Sequence, residues 1–298
     1  MVFITPNRVL LSLSSYIVLA RAIDLVPTSF VLTGDSTTAI QSGWGNGFCG
    51  SSNPAIASCL EPGTPCFDLA VGGTTTGTFV DRGYWKTALD TAKAEIAKNR
   101  RTIVTIQFGH NDRRAGPPEL LAEHLTAMVK EVRDIKAQPV LITSLVVRDF
   151  DSTGKKIIDD TLEPYAEATI QVAKNESTHL LDLHAKSLEY CEAIGATNAH
   201  KFDPAGADTT HLNEKGMVVF GRMVADLMNN DFGLLGINML PIFKGLDPKK
   251  AQATFSTMGS ILVRTGDLDF ALSGRRAITN YAMDPSVTVT ISSVDTRS

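Results

Sequence analysis

Several things are scarce in this chain, and each scarcity narrows what it can be. Neither sign of charge is in excess: 28 Lys and Arg stand against 32 Asp and Glu, a net of −4. The basic residues are scattered, with no run interleaved with aromatics, so nothing marks a nucleic-acid surface. Past the N-terminus no apolar run reaches bilayer-crossing length, and the mature chain is expected to be soluble, with no membrane as partner. Cysteine is limited to Cys49, Cys59, Cys66 and Cys191. No Cys-x-x-Cys pair or histidine cluster accompanies them, which argues against zinc. There is no repeat and no low-complexity run. What remains, 43% hydrophobic over 298 residues, is enough to bury a large core.

The N-terminus reads as a secretory signal. Arg8 precedes an apolar stretch from Val9 to Ala20, and Ala20-Arg21-Ala22 gives small residues two apart, so cleavage is expected after Ala22. The alternative is a buried N-terminal helix. An even cysteine count fits export, because disulfides persist in oxidising compartments. Three pairings are open; with three of the four cysteines in one Gly/Pro/Ser-rich loop, a local bridge there is preferred. Asn175-Glu176-Ser177 is a glycosylation acceptor consistent with secretion.

From residue 23 to residue 230, short apolar runs alternate with helical patterns. Phe30 to Thr33, Phe67 to Val71, Thr102 to Phe108, Pro139 to Leu145 and His179 to Leu183 read as strands. Their near-continuous apolar character suits a parallel sheet covered on both faces. Asp81 to Asn99, Pro118 to Ala137, Thr161 to Lys174 and Glu214 to Met228 carry 3.6-residue spacing. Leu121, Leu125, Met128, Val129 and Val132 share one face of the second, and Asn213 is placed to cap the last. The alternation predicts an α/β fold, a three-layer α/β/α sandwich on a five-stranded parallel sheet. Residues 231–298 depart from this rhythm and read as a C-terminal extension of unknown role, with one strand pattern at Val287 to Ile291.

In such sheets ligands collect beyond the carboxyl ends of the strands. Ser36 follows the first strand, Gly72-Gly73 the second, and Gly109-His110-Asn111-Asp112 the third, while Asp208 and His211 precede the last helix. A serine hydroxyl needs an imidazole to take its proton, and the imidazole needs a partner that fixes its tautomer. Ser36 is therefore the candidate nucleophile, placed where a strand ends and a helix would begin. His211 is the candidate base, and Asp208, three residues earlier, its orienting carboxylate. The oxyanion would be held by the Ser36 and Gly73 backbone N–H groups and the Asn111 amide. His110 reads as support and Asp35 as a turn brace or cap. The Gly-x-Ser-x-Gly elbow of α/β-hydrolases is absent at this serine.

Together these blocks resemble the SGNH, or GDSL-type, hydrolase superfamily, with Ser36, Gly73, Asn111 and Asp208 with His211 in its four positions. Gly34-Asp35-Ser36-Thr37, Gln107-Phe108-Gly109-His110-Asn111-Asp112, Thr210-His211-Leu212-Asn213, Trp44 between two glycines and Arg82-Gly83 resemble its rhamnogalacturonan acetylesterase branch. Gly72-Gly73-Thr74-Thr75 and Arg113-Arg114 depart from that branch. The resemblance implies the flavodoxin-like SGNH fold and a secreted, extracellular serine esterase. Its implied substrate is a short acyl ester, above all acetyl, on a carbohydrate such as pectic rhamnogalacturonan. A monomer with no cofactor and no metal is expected. Three alternatives stand beside it. One is a lipase or esterase acting on lipid or other small acyl esters. Another is a phosphoester hydrolase with Asp35, Asn111, Asp112, Asp208 and His211 as metal ligands. The third is a non-catalytic carbohydrate-binding module on the same fold.

Overall fold

The computed structural model describes residues 27–51, 56–158 and 160–234. The expected signal segment, the strand pattern at Val287 to Ile291 and nearly all of the C-terminal extension lie outside them.

Five strands, β1 (Thr28–Gly34), β2 (Cys66–Asp68), β3 (Arg101–Gln107), β4 (Gln138–Ile142) and β5 (His179–Leu181), form one sheet in the order β2-β1-β3-β4-β5. Every pairing is parallel, as the apolar runs predict. Among the described residues eight α-helices accompany it: α1 (Gly45–Cys49), α2 (Thr76–Asp81), α3 (Tyr84–Ile96), α4 (Pro118–Asp134), α5 (Glu163–Asn175), α6 (Leu183–Ile194), α7 (Ala196–Ala199) and α8 (Glu214–Leu234).

Alternate residues of the central strands enter two separate cores, which is why the runs are apolar throughout. Phe30 and Leu32 of β1, with Val140 and Ile142 of β4, pack with Phe48, Leu183, Phe220 and Val224 from α1, α6 and α8. Val31 of β1, Val104 and Ile106 of β3 and Leu141 of β4 point the other way. They meet Trp85, Leu125, Val129 and Val172 from α3, α4 and α5.

Several expectations change in detail, and β2 and β4 stop at Asp68 and Ile142, three residues short of the expected Val71 and Leu145. The helix read from Asp81 to Asn99 is α3, Tyr84–Ile96, and a separate short helix not anticipated, α2, ends at Asp81; Gly83 at φ +79° parts them, a conformation that ends a helix. The last strand stops at Leu181, and Leu183 already opens α6, where the Asp182 side chain accepts from the Ala185 N–H. Helix α8 runs on past Met228 to Leu234. Its start is as expected: Asn213 Oδ1 accepts from the Lys215 and Gly216 N–H groups at 3.0 and 3.1 Å.

Cys49 and Cys66 form a disulfide that ties the end of α1 to the start of β2, a bridge of the local kind expected. Cys59 and Cys191 are buried.

Candidate active site

Strand order reverses around β1, which has β2 on one side and β3 on the other. A crevice at the carboxyl ends of strands is expected at such a switch, and the polar clusters meet there. Ser36 lies two residues beyond β1. No helix begins at it; a series of turns follows and α1 starts only at Gly45. The cause is Asp35, whose Oδ1 accepts both the N–H and the hydroxyl of Thr37 at 2.9 and 2.7 Å. Such short-range side-chain bonds compete with helix formation.

Beneath the turn lies a buried polar floor centred on Gln107 at the end of β3. Its Oε1 accepts from Thr38 Oγ1 at 2.6 Å and from the Trp44 indole N–H, and its Nε2 donates to Thr37 Oγ1 at 3.1 Å. Trp44 has no solvent exposure, so it supports the turn from below. Burial pushes the Asp35 carboxyl upward against the lowering effect of its bonds to Thr37.

His211 reaches the same point from the loop before α8. Its Nε2 stands 2.8 Å from Ser36 Oγ and its Nδ1 2.7 Å from Asp208 Oδ2. With the proton on Nδ1 shared with the carboxylate, Nε2 is the acceptor facing the hydroxyl. Asp208 Oδ1 also accepts the backbone N–H groups of Thr210 and His211, each at 3.0 Å. Partial burial alone would raise the Asp208 carboxyl, but these bonds outweigh it and hold the group below its ordinary value.

Two residues that sequence reasoning did not single out fix this loop. Arg148, just beyond β4, is fully buried. Its Nη2 donates to the His211 carbonyl and its Nε to Asp203 Oδ1, both at 2.5 Å, while its own N–H donates to the Thr209 carbonyl at 3.0 Å. Asp203 Oδ2 in turn meets His200 Nδ1 at 2.7 Å. Ser42 links the two halves of the site. Its hydroxyl donates to the Ser36 carbonyl at 2.8 Å, and its carbonyl accepts the Leu212 N–H at 2.8 Å.

Gly72, next to the oxyanion candidate Gly73, borders the serine. A methyl group added at Gly72 would lie 3.5 Å from Ser36 Cβ. Gly73 takes φ +76°, which glycine adopts without strain. One amide hydrogen of Asn111 is spent on the Thr74 carbonyl at 3.0 Å, which leaves a second for a ligand. Gly109 sets Asn111 in place: at φ +137°, a Cβ there would come within 2.2 Å of Ser144 Oγ.

His110 and Asp112 are occupied elsewhere. The His110 Nε2–H donates to the Leu145 carbonyl at 2.8 Å, and burial drives the imidazole down to about 3, so it is neutral. Asp112 Oδ1 accepts the N–H and hydroxyl of Thr76 at 2.9 and 2.6 Å, bracing the start of α2. Among the described residues no three His, Cys, Asp or Glu side chains gather as metal ligands would, so the set named for a phosphoester site is not assembled.

Residues 32–219 match the model of the GDSL-like lipase/acylhydrolase family. A rhamnogalacturonan acetylesterase of Bacillus subtilis (strain 168) is 30% identical over 222 residues, which is 67% of this chain and 89% of that protein. A crystal structure of another Bacillus subtilis protein, from a structural genomics programme, superposes with a TM-score of 0.55 at 20% identity. The alignment covers 72% of this chain and 59% of that one, and at this identity it bears on the fold alone.

Proposed function

This chain belongs to the GDSL-like lipase/acylhydrolase family and is a carboxylic ester hydrolase. From that premise we propose that Ser36, His211 and Asp208 form its catalytic triad, acting on short acyl esters, above all acetyl, carried by a carbohydrate such as pectic rhamnogalacturonan. The observation that carries the proposal is the unbroken relay from Ser36 Oγ to His211 Nε2 and from Nδ1 to Asp208, at 2.8 and 2.7 Å.

In this reading Ser36 Oγ attacks the ester carbonyl as His211 Nε2 takes its proton. The tetrahedral anion is held by the Ser36 and Gly73 N–H groups and the free Asn111 amide hydrogen. His211 then protonates the departing alkoxide, and a water molecule repeats the cycle on the acyl-enzyme. Asp208, kept ionised by its hydrogen bonds, stabilises the imidazolium formed on the way. The named activity of the 30%-identical relative supports acetyl on a pectic carbohydrate.

We further propose that the protein acts outside the cell. The Cys49–Cys66 disulfide and the exposed Asn175 of the glycosylation triplet support this. N-terminal sequencing of the exported chain is expected to begin at Ile23.

The test of activity is acetate release from acetylated pectin and xylan, set beside nitrophenyl esters of increasing chain length. Wild type is expected to favour the acetyl esters, and Ser36→Ala and His211→Ala to lose activity while remaining folded. Full activity in either variant would remove the triad.

A further inference from the structure

Two of the donors assigned to the oxyanion sit on separate loops, Gly73 after β2 and Asn111 after β3. These strands are not neighbours, because β1 lies between them. The spacing of the two donors therefore depends on bonds made across the gap. Two side chains cross it. Asn111 Nδ2 donates to the Thr74 carbonyl at 3.0 Å, and Asp112 Oδ1 accepts the Thr76 N–H and hydroxyl at 2.9 and 2.6 Å.

His124 of α4 stands behind the second crossing. Its Nδ1 lies 2.7 Å from Thr76 Oγ1. Gly77 leaves room for the ring, since a Cβ there would stand 3.3 Å from His124 Cε1. The direction of the chain follows from its hydrogens. The Thr76 hydroxyl has one, given to Asp112 Oδ1, so the imidazole must supply the other. Burial raises the Asp112 carboxyl, but a proton there would occupy the unpartnered Oδ2 and leave Oδ1 accepting. His124 Nδ1–H thus donates to Thr76 and Thr76 to Asp112, each bond polarising the next. Thr76 and Asp112 are buried, where such bonds are least disturbed by water.

We propose that His124 is a positioning residue for the oxyanion site: through Thr76 and Asp112 it fixes the loop carrying Gly73 against the loop carrying Asn111. The inference rests on the oxyanion reading above. The anion exists only after attack, so slack between the two donors weakens the transition state and leaves binding of the ester unaltered.

The test is steady-state hydrolysis of nitrophenyl acetate by the full-length protein. His124→Leu removes the donor, and His124→Asn keeps an N–H near the place of Nδ1. His124→Leu is expected to lower kcat about tenfold, a part of the roughly hundred- to thousandfold that loss of a whole oxyanion donor costs. KM should stay nearly constant, and His124→Asn should recover most of the rate. In an Asn111→Ala background the same substitution should cost clearly less, because one donor that it positions is already gone. Wild-type kcat in folded His124→Leu would overturn the proposal. So would a loss carried by KM, or an undiminished penalty in the Asn111→Ala background. Where His124→Leu does not fold, Thr76→Val is set against Thr76→Ser; slow turnover in the first and near-normal turnover in the second is expected, and equal rates would overturn the proposal. Asn111→Ala separates the two levels. A fall under tenfold in that variant refutes the oxyanion reading and this inference with it. A larger fall there, beside fully active His124→Leu, refutes the inference alone.

Discussion

The two halves of the site are held in different ways. The Ser36 turn rests on groups that are mostly its neighbours in sequence: Asp35, Thr37 and Thr38 are fully buried and bonded to one another or to Gln107. The loop carrying Asp208 and His211 is partly open to solvent, and two of its carbonyls are gripped by one remote residue, Arg148, the His211 carbonyl by its guanidinium and the Thr209 carbonyl by its backbone N–H. A nucleophile must not move, and many short bonds fix it. In the proposed mechanism the base must serve two oxygens in turn; its backbone is clamped by Arg148 and its ring is oriented by Asp208.

Breaking each support separately tests this contrast. Arg148→Met leaves Asp203 without its buried countercharge, and removing one partner of such a pair typically costs about 3–5 kcal/mol. Thermal unfolding should show that loss, and the folded fraction should turn over ester slowly because His211 is released. Thr38→Val removes one of several bonds in the turn and should cost only about 1 kcal/mol, with kcat little changed. Equal losses in the two variants would erase the distinction.

The loops after β2 and β3 are a third party to the comparison, because they carry the oxyanion candidates Gly73 and Asn111. Asn111→Ala should lower kcat by about a hundred- to a thousandfold while leaving the stability of both halves unaltered. A fall in kcat under tenfold would take the oxyanion role from Asn111.

The smallest expected effect concerns acid. Asp208 is held below its ordinary value in the folded protein, so the folded state binds its proton less readily than the unfolded chain. Its contribution to stability is therefore present above the unfolded carboxylate value of about 3.9 and disappears as pH falls through the folded one. Asp35 is raised by burial and has the opposite sign. In Asp208→Asn the stability curve below about pH 4 should flatten slightly relative to wild type. An unchanged curve would mean that the carboxylate gains nothing from its bonds to His211 and Thr210.

What could be read without coordinates follows the same division. β1, β3 and β4 were legible because burial on both faces leaves continuous apolar runs such as Phe30-Val31-Leu32. The meeting of Ser36, His211 and Asp208 was legible because such groupings depend on residue type and on where a strand or helix ends. Helix α6 was not, since Leu183 follows β5 so closely that the apolar run reads straight through the boundary. Helix α2 was missed because Thr76-Gly77-Thr78 at its start is poor in helix formers, so helical spacing was read only from Asp81, where α2 ends. Arg148 looks like an ordinary surface charge in Val146-Val147-Arg148-Asp149; only Asp203 and the His211 carbonyl, more than fifty residues away in sequence, make it a buried clamp.

The central claim is that the Ser36 hydroxyl is activated by His211. A fluorophosphonate probe, with the labelled peptide located by mass spectrometry in wild type and in folded His211→Ala, tests it most directly. Rapid labelling of Ser36 in wild type and almost none in the variant is the predicted result. Labelling at another residue, or equal labelling of Ser36 in both proteins, would contradict it.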